Sequence, residues 1–293
     1  MCAVPGADRL MTDELVHAIA GALFGVAVGD AIGSTYEGLM PGSRRNLRMA
    51  GGGQFSLPKG EVTDDTLMTL DLAESRLERG YFDRDAFLCR MVQTVRANPG
   101  PFGRTTRTLV SLLEQGCMPD AAVRVVDSVL GSRTNGSVMR TIPVGILEPA
   151  AARRVSAFTH YDPAAGECCA VVSRMIAELI RGAGRDEAYA AARRVTDVEE
   201  IFVGDLIPSV DAVESTRCAL HCFLSGENVR DVVERAVSLG GDTDTIAAVA
   251  GGMAGAFWGV DRIPDDWTRG LLVRKRVETV AERILSEYDP SSI

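Results

Sequence analysis

Two short acidic clusters with nearly the same spelling stand near opposite ends of this 293-residue chain. They are Thr63-Asp64-Asp65-Thr66, after Gly60, and Asp242-Thr243-Asp244-Thr245, after Gly240 and Gly241. Together they supply four carboxylates and four hydroxyls. If the two meet in the fold, like charges a few ångströms apart repel by several kcal/mol at intermediate dielectric, and bound cations are the natural compensation. Carboxylates and Thr hydroxyls are hard oxygen donors that favour Mg²⁺, Mn²⁺ or Ca²⁺ over zinc, and neither cluster contains His or Cys. Mg²⁺ keeps water in much of its shell, so this many carboxylates points to a two-metal centre with ions roughly 3.5 to 4 Å apart. Taken singly, either cluster is equally well a helix cap; the shared Gly, Asp and Thr pattern favours two halves of one metal site.

The elements around them must do the positioning, and each cluster opens a helix. Leu67, Leu70 and Leu77 recur at helical spacing until Gly80, and Ile246 through Ala256 form an apolar run. Carboxylates at a helix start suit the positive end of the macrodipole, and a chain turning there can aim adjacent residues at one point. A third acidic stretch lies upstream in Gly29-Asp30-Ala31-Ile32-Gly33 through Glu37-Gly38. Leu15, Ile19, Leu23 and Val26 mark one face of the helix before it, with Gly21, Ala22 and Gly25 allowing close contact. Glu37 is then a loop residue beyond a buried helix, either reaching the site or simply solvated. Asp30, between glycines at the helix exit, reads as structural, satisfying free backbone donors.

With these stand Gly103-Arg104-Thr105-Thr106-Arg107, Asn135-Gly136-Ser137-Val138-Met139-Arg140 and Thr159-His160. The ordered set, from about residue 15 to Trp267, resembles the ADP-ribosylglycohydrolase family, which includes the dinitrogenase-reductase-activating glycohydrolases. The resemblance implies an all-α fold, a compact orthogonal helical bundle with a dinuclear Mg²⁺ or Mn²⁺ centre between helix-start loops. It implies removal of ADP-ribose from a modified acceptor by hydrolysis at the ribose anomeric carbon. Metal ligation falls to Thr63, Asp64, Asp65, Asp242, Asp244 and Thr245. Glu37 becomes a flexible acidic residue near the metals, and either Glu37 or Asp65 the group that accepts the water proton or stabilises charge. The Asn135-Gly136-Ser137 turn resembles the family's diphosphate cradle, although alone it reads as a capped turn; Gly103 and His160 join the substrate-binding set.

Two positions depart from the family pattern. Thr134 stands where many relatives have glycine, so the phosphate turn either takes another shape or gains a hydroxyl. Residues Asn98 to Phe102 contain no acid, where some arginine-directed relatives carry one, and an O-linked or base-linked acceptor is therefore expected over arginine. The substrate is an ADP-ribosylated protein, nucleic acid or small molecule, with ADP-ribose as product. A catalytically silent ADP-ribose binder and an unrelated dimetal phosphoesterase compete with this reading; the full Thr and Asp set favours hydrolysis.

Composition agrees with a soluble enzyme: 46% hydrophobic, 24% charged, and a net charge of -9 that lacks the basic balance of a stable nucleic-acid complex. One domain over 12–288 is expected, with loose tails at 1–11 and 289–293. Seven cysteines without zinc-like grouping read as reduced core thiols of a cytoplasmic protein. No apolar run is expected to reach the roughly 18 residues of a spanning helix, and no membrane association is anticipated. The middle of the chain predicts helix after helix: Asp83–Ala97, Thr105–Gln115, Pro119 to near Gly131, Ala164–Arg181, Asp186–Val195, Ser209–Leu224 and Val229–Ser238.

Overall fold

A computed structural model describes residues 7–42 and 44–289, with side chains from residue 13 onward. The order is α1 (Ala7–Gly33), α2 (Asp64–Arg79), α3 (Arg84–Ala97), α4 (Arg104–Glu114) and α5 (Pro119–Leu130), then α6 (Ile142–Leu147), α7 (Ala152–Ser156) and α8 (Pro163–Ile180). The chain continues through α9 (Arg185–Arg193), α10 (Ala212–Ser225), α11 (Val229–Leu239), α12 (Thr243–Trp258), α13 (Asp265–Gly270) and α14 (Arg274–Glu287). Among the described residues there are no strands, only isolated bridges between Gly52 and Leu57 and between Thr134 and Asp211. The all-α expectation holds, and each expected helix is present within a few residues. Local caps set the differences. Asp211 accepts from the N–H groups of Val213 and Glu214, so α10 starts later than the pattern suggested. Gly80, at φ 78°, ends α2 in the left-handed region that a glycine adopts without strain.

Burial is organised around α1 and α12. A Cβ built on Gly21, Gly25, Gly29 or Gly33 would stand 2.1, 2.0, 2.0 or 2.4 Å from the carbonyl oxygen of Gly255, Gly251, Ala247 or Thr243, respectively. One series climbs by four as the other falls by four, so the helices run antiparallel with their backbones in contact over three turns. Only glycine permits this approach. The register is thereby fixed, and it sets the end of α1 against the start of α12.

Two sequence expectations change. Helix α1 starts at Ala7, within the stretch expected to be a tail; residues 1–6 and 290–293 lie outside the described residues. Asp13–Gly33 is also long and apolar enough by composition to cross a membrane, contrary to the expectation that no run reaches that length. Most of that segment is buried: its glycine face packs on α12, and the side chains that raise its hydropathy, such as Ile19, Leu23, Phe24, Val26 and Ile32, lie in the core. Of the cysteines, Cys168, Cys169, Cys218 and Cys222 are buried free thiols, while Cys89 is exposed; Cys2 is outside the described residues.

Candidate metal centre and active site

The α1–α12 register carries straight into the site. Thr243 Oγ1 donates to Gly33 O at 2.8 Å, and beyond it the chain after α1 is laced to the second cluster. Gly38 N–H donates to Gly241 O at 2.8 Å and Gly241 N–H to Leu39 O at 3.1 Å. This brings Glu37 to the start of α12, where carboxylate oxygens of Glu37, Asp242 and Asp244 lie within 4.8 Å of one another. The loop reading of Glu37 as a residue that reaches the site is the one the geometry follows.

The first cluster is attached through Asp30. Thr63 is the N-cap of α2 but makes no side-chain cap bond of its own. Asp30, from α1, supplies the cap. It accepts from Thr63 N–H (3.0 Å), Thr63 Oγ1 (2.8 Å), Thr66 N–H (3.1 Å) and Thr66 Oγ1 (2.6 Å). The structural reading of Asp30 is right in kind, but the donors it satisfies belong to α2 and not to its own helix exit. Thr63 Oγ1 also lies 3.0 Å from Asp65 Oδ2, fixing that carboxylate. Asp64 turns the other way, accepting from Gly103 N–H at 3.2 Å while its own N–H donates to Pro101 O at 3.2 Å.

Electrostatics record the crowding. Burial raises the Asp65 carboxyl well above its ordinary range, with Asp244, Asp30 and Asp64 adding to it. Burial likewise lifts Asp64 to about 7 against the opposing Gly103 N–H, and Asp30 to about 7 against its Thr66 bond. Glu37 is pushed up to about 8 by burial and then by Asp244, while Asp242 is raised by burial and by Asp244. The charges that raise these values are the other carboxylates of the same set. Two buried oxygens, Asp65 Oδ1 and Glu37 Oε2, have no hydrogen-bond partner. An all-oxygen donor set with unsatisfied lone pairs and mutual repulsion fits hard divalent cations.

These groups open into a cleft of about 270 Å³. It is lined by Glu37, Asp64, Asp65, Asp242, Asp244 and Thr245 and, from the substrate-binding set, by Gly103, Asn135, Gly136 and His160. The Asn135 amide donates to Asp242 Oδ2, tying the small-residue turn to the second cluster. His160 is buried, with Nδ1 2.7 Å from Thr159 Oγ1 and Nε2 3.0 Å from Thr134 Oγ1. Burial, helped by Arg140, drops its pKa to about 3, so the ring is neutral. A Cβ on Gly136 would stand 3.0 Å from that ring, which explains the glycine. Thr134 has φ -81°, a value open to any residue, and its contribution is the hydroxyl held by His160.

Two expected residues do not face the cleft. The Ser137 hydroxyl is buried, accepting from Ser156 Oγ at 2.9 Å, with Cys169 Sγ at 3.5 Å, so its side chain serves packing and only its backbone belongs to the turn. The Thr63 hydroxyl lies between Asp30 Oδ1 (2.8 Å) and Asp65 Oδ2 (3.0 Å), with one proton to give to either. Sequence reasoning passed over Phe55, Met139 and Val210, which also line the cleft, and Gln54, whose side chain hydrogen-bonds Glu37. Gln54 and Phe55 follow the Gly51-Gly52-Gly53 run, the only local sign that the chain folds back there.

The site is thus a cleft in an all-helical scaffold that joins a carboxylate cluster able to hold a metal to a small-residue turn. The ADP-ribosylglycohydrolase profile matches residues 11–292. The chain is 28% identical to the ADP-ribosylarginine hydrolase Tri1 of Serratia proteamaculans, covering 97% of this chain and 81% of that one. It is 31% identical to the ADP-ribosyl-[dinitrogen reductase] glycohydrolase of Rhodospirillum rubrum, covering 89% and 92%. The ADP-ribosylhydrolase ARH3 of Mus musculus is 23% identical, covering 93% and 92%. A solved structure described as an ADP-ribosylglycohydrolase-related protein complex superposes with a TM-score of 0.81 at 32% identity, over 96% of this chain and all of that one. The chain belongs to the ADP-ribosylglycohydrolase family and is an ADP-ribosyl-acceptor hydrolase.

Proposed function

We propose that the cleft releases ADP-ribose from a modified protein with two divalent cations, Mg²⁺ or Mn²⁺, held among Asp64, Asp65, Asp242, Asp244 and Thr245. The observation that carries this reading is the convergence of Glu37, Asp242 and Asp244 within 4.8 Å, next to a buried Asp65 oxygen without a partner. When bound, such ions fix the hydroxyls of the terminal ribose and make a water more acidic. Thr63 holds Asp65 Oδ2 so that Oδ1 is left for the site. Glu37, on a turn anchored by Gly38 and with Oε2 free of any hydrogen-bond partner, accepts the proton of the attacking water. The Asn135–Gly136 turn and neutral His160 orient the diphosphate side of the ligand, and the Asn135 amide couples that side to Asp242. The carboxylates around the sugar stabilise the oxocarbenium character that develops as the glycosidic bond breaks.

For the acceptor we favour an arginine linkage, against the expectation drawn from the acid-free Asn98–Phe102 stretch. That loop encodes no acid but is tied to one, since Pro101 O and Gly103 N–H both bond Asp64. With Asp64 given to the metals, what supports the arginine linkage is likeness, since the Serratia relative's name is that of an arginine-directed hydrolase. The test is a panel of matched arginine-, serine- and nucleotide-linked ADP-ribose substrates with Mg²⁺ or Mn²⁺, scored by kcat/KM. Release of ADP-ribose fastest from arginine is expected. Release from none of them, with ADP-ribose still bound, favours the silent binder.

A further inference from the structure

Arg140 is 1% exposed, and every contact it makes is with a neutral group. One terminal nitrogen donates to Gly136 O at 2.5 Å and the other to Thr159 Oγ1 at 2.8 Å. The guanidinium lies over the Phe87 ring, 4.9 Å from its centroid, and Nε has no hydrogen-bond partner. No carboxylate acts on it strongly enough to offset desolvation, which lowers its pKa to about 10 and leaves it a cation at neutral pH. A buried cation with only dipoles and a ring for company is costly, and families of buried charges are ordinarily paired. The same fold gathers six carboxylates at the metal centre, Asp30 among them, yet none of them is a partner of Arg140.

We propose that Arg140 is a positioning residue for the diphosphate, a fixed positive charge held behind the Gly136 turn whose missing counter-ion is the ligand's pyrophosphate. This rests on the reading of the Asn135–Ser137 turn as the diphosphate cradle. Arg140 does not line the cleft, so it acts through the turn. Its bond to Gly136 O pins that peptide, and because a trans peptide sets C=O and N–H in opposite directions, the positive N–H end is turned away from the guanidinium. The second bond, to Thr159 Oγ1, reaches a hydroxyl that also meets His160 Nδ1, and the His160 ring in turn limits Gly136. One guanidinium therefore sets both the peptide and the imidazole that border the turn, while its charge, poorly screened in a buried place, favours an anion in front of them.

The experiment compares the metal-loaded wild-type protein with Arg140→Met and Arg140→Lys, measuring the affinities of ADP-ribose, ADP and adenosine by calorimetry at one ionic strength. Arg140→Met is expected to weaken ADP-ribose and ADP by about tenfold or more and adenosine by less than about twofold, since only the first two carry the charge. Arg140→Lys keeps the charge and is expected to hold ADP within about threefold of wild type. An Arg140→Met protein that binds ADP as tightly as wild type overturns the proposal, as does one that loses adenosine in equal measure, which is the mark of a collapsed turn. Should Arg140→Met not fold, Arg140→Lys decides alone: retention of ADP with the charge supports the proposal, and a loss of tenfold or more overturns it. If the wild type itself binds neither ADP-ribose nor ADP, the functional reading fails and not the role of Arg140.

Discussion

Asp30 accepts both the backbone N–H and the hydroxyl of Thr66, at 3.1 and 2.6 Å, and so caps a helix that begins 34 residues further along the chain. One carboxylate from α1 thereby fixes the start of α2 and, through Thr63, the orientation of Asp65. Asp30→Ala strands several buried donors and removes a cap, so it is expected to cost about 3 kcal/mol of stability. Urea denaturation checks this, and Mn²⁺ binding by the folded fraction should weaken because Asp65 loses its brace.

Asp64→Ala and Asp244→Ala each remove one charge from a set whose members raise one another's pKa. Metal affinity is expected to fall by at least about tenfold and hydrolysis by about a hundredfold, with helical circular dichroism retained. Unchanged metal content and activity in both variants would remove the basis for a two-cluster site. Unfolding would show that the clusters are caps first.

Glu37→Gln keeps the shape of the side chain and deletes its charge. If Glu37 takes the water proton, turnover drops by about a hundredfold while ADP-ribose affinity stays within a few-fold. Equal losses in both would assign it to ligand binding, and no change in either would return it to solvent.

The metal-free protein should lose stability as pH rises. Glu37, at about 8, and Asp30 and Asp64, at about 7, all sit above the carboxyl range of an unfolded chain near 4. A folded-state pKa raised in this way favours folding at low pH, and the contribution disappears as pH climbs from about 4 through about 8. Divalent cations bind the ionised set, so their affinity rises over the same window and offsets the loss. Calorimetric melting at pH 5.5 and 8.5, with and without Mg²⁺, is expected to give a falling Tm in the chelated protein and a smaller fall with the ion.

How much of this could be read from the sequence depends on distance along the chain. Asp64 with Asp65 and Asp242 with Asp244 were legible as pairs because each stands at a helix start, while the opposite turns of Asp64 and Asp65 are set by Gly103 and Thr63. Asp30 was recognised as structural, yet its partners could not be named, because they are 33 and 36 residues away. Ser137 was legible as part of the turn by its backbone, but not the fate of its side chain. Its hydroxyl direction is decided by Ser156 and Cys169, which no local pattern connects to it. That Asn98–Phe102 contains no acid is plain in the sequence, whereas the bond from the adjoining Gly103 N–H to Asp64 spans 39 residues and has no local sign. Small residues in α1 and α12 announced close packing, but only the fold pairs Gly25 with Gly251.

That pairing divides the molecule into parts with different freedom to change. A slip of one helical turn between α1 and α12 would displace one half of the carboxylate set by about 5.4 Å, beyond the span of any shared ion. A single residue inserted between Gly25 and Gly29 would swing Asp30 about 100° around its helix relative to the contacts of Gly21 and Gly25. The spacing of the reactive groups is thus cast into backbone contact, where neither partial adjustment nor gradual drift is available. The Asn98–Phe102 turn hangs outside that casting by hydrogen bonds to Asp64. New acceptors are within reach of substitutions there, and the chemistry would come along unaltered.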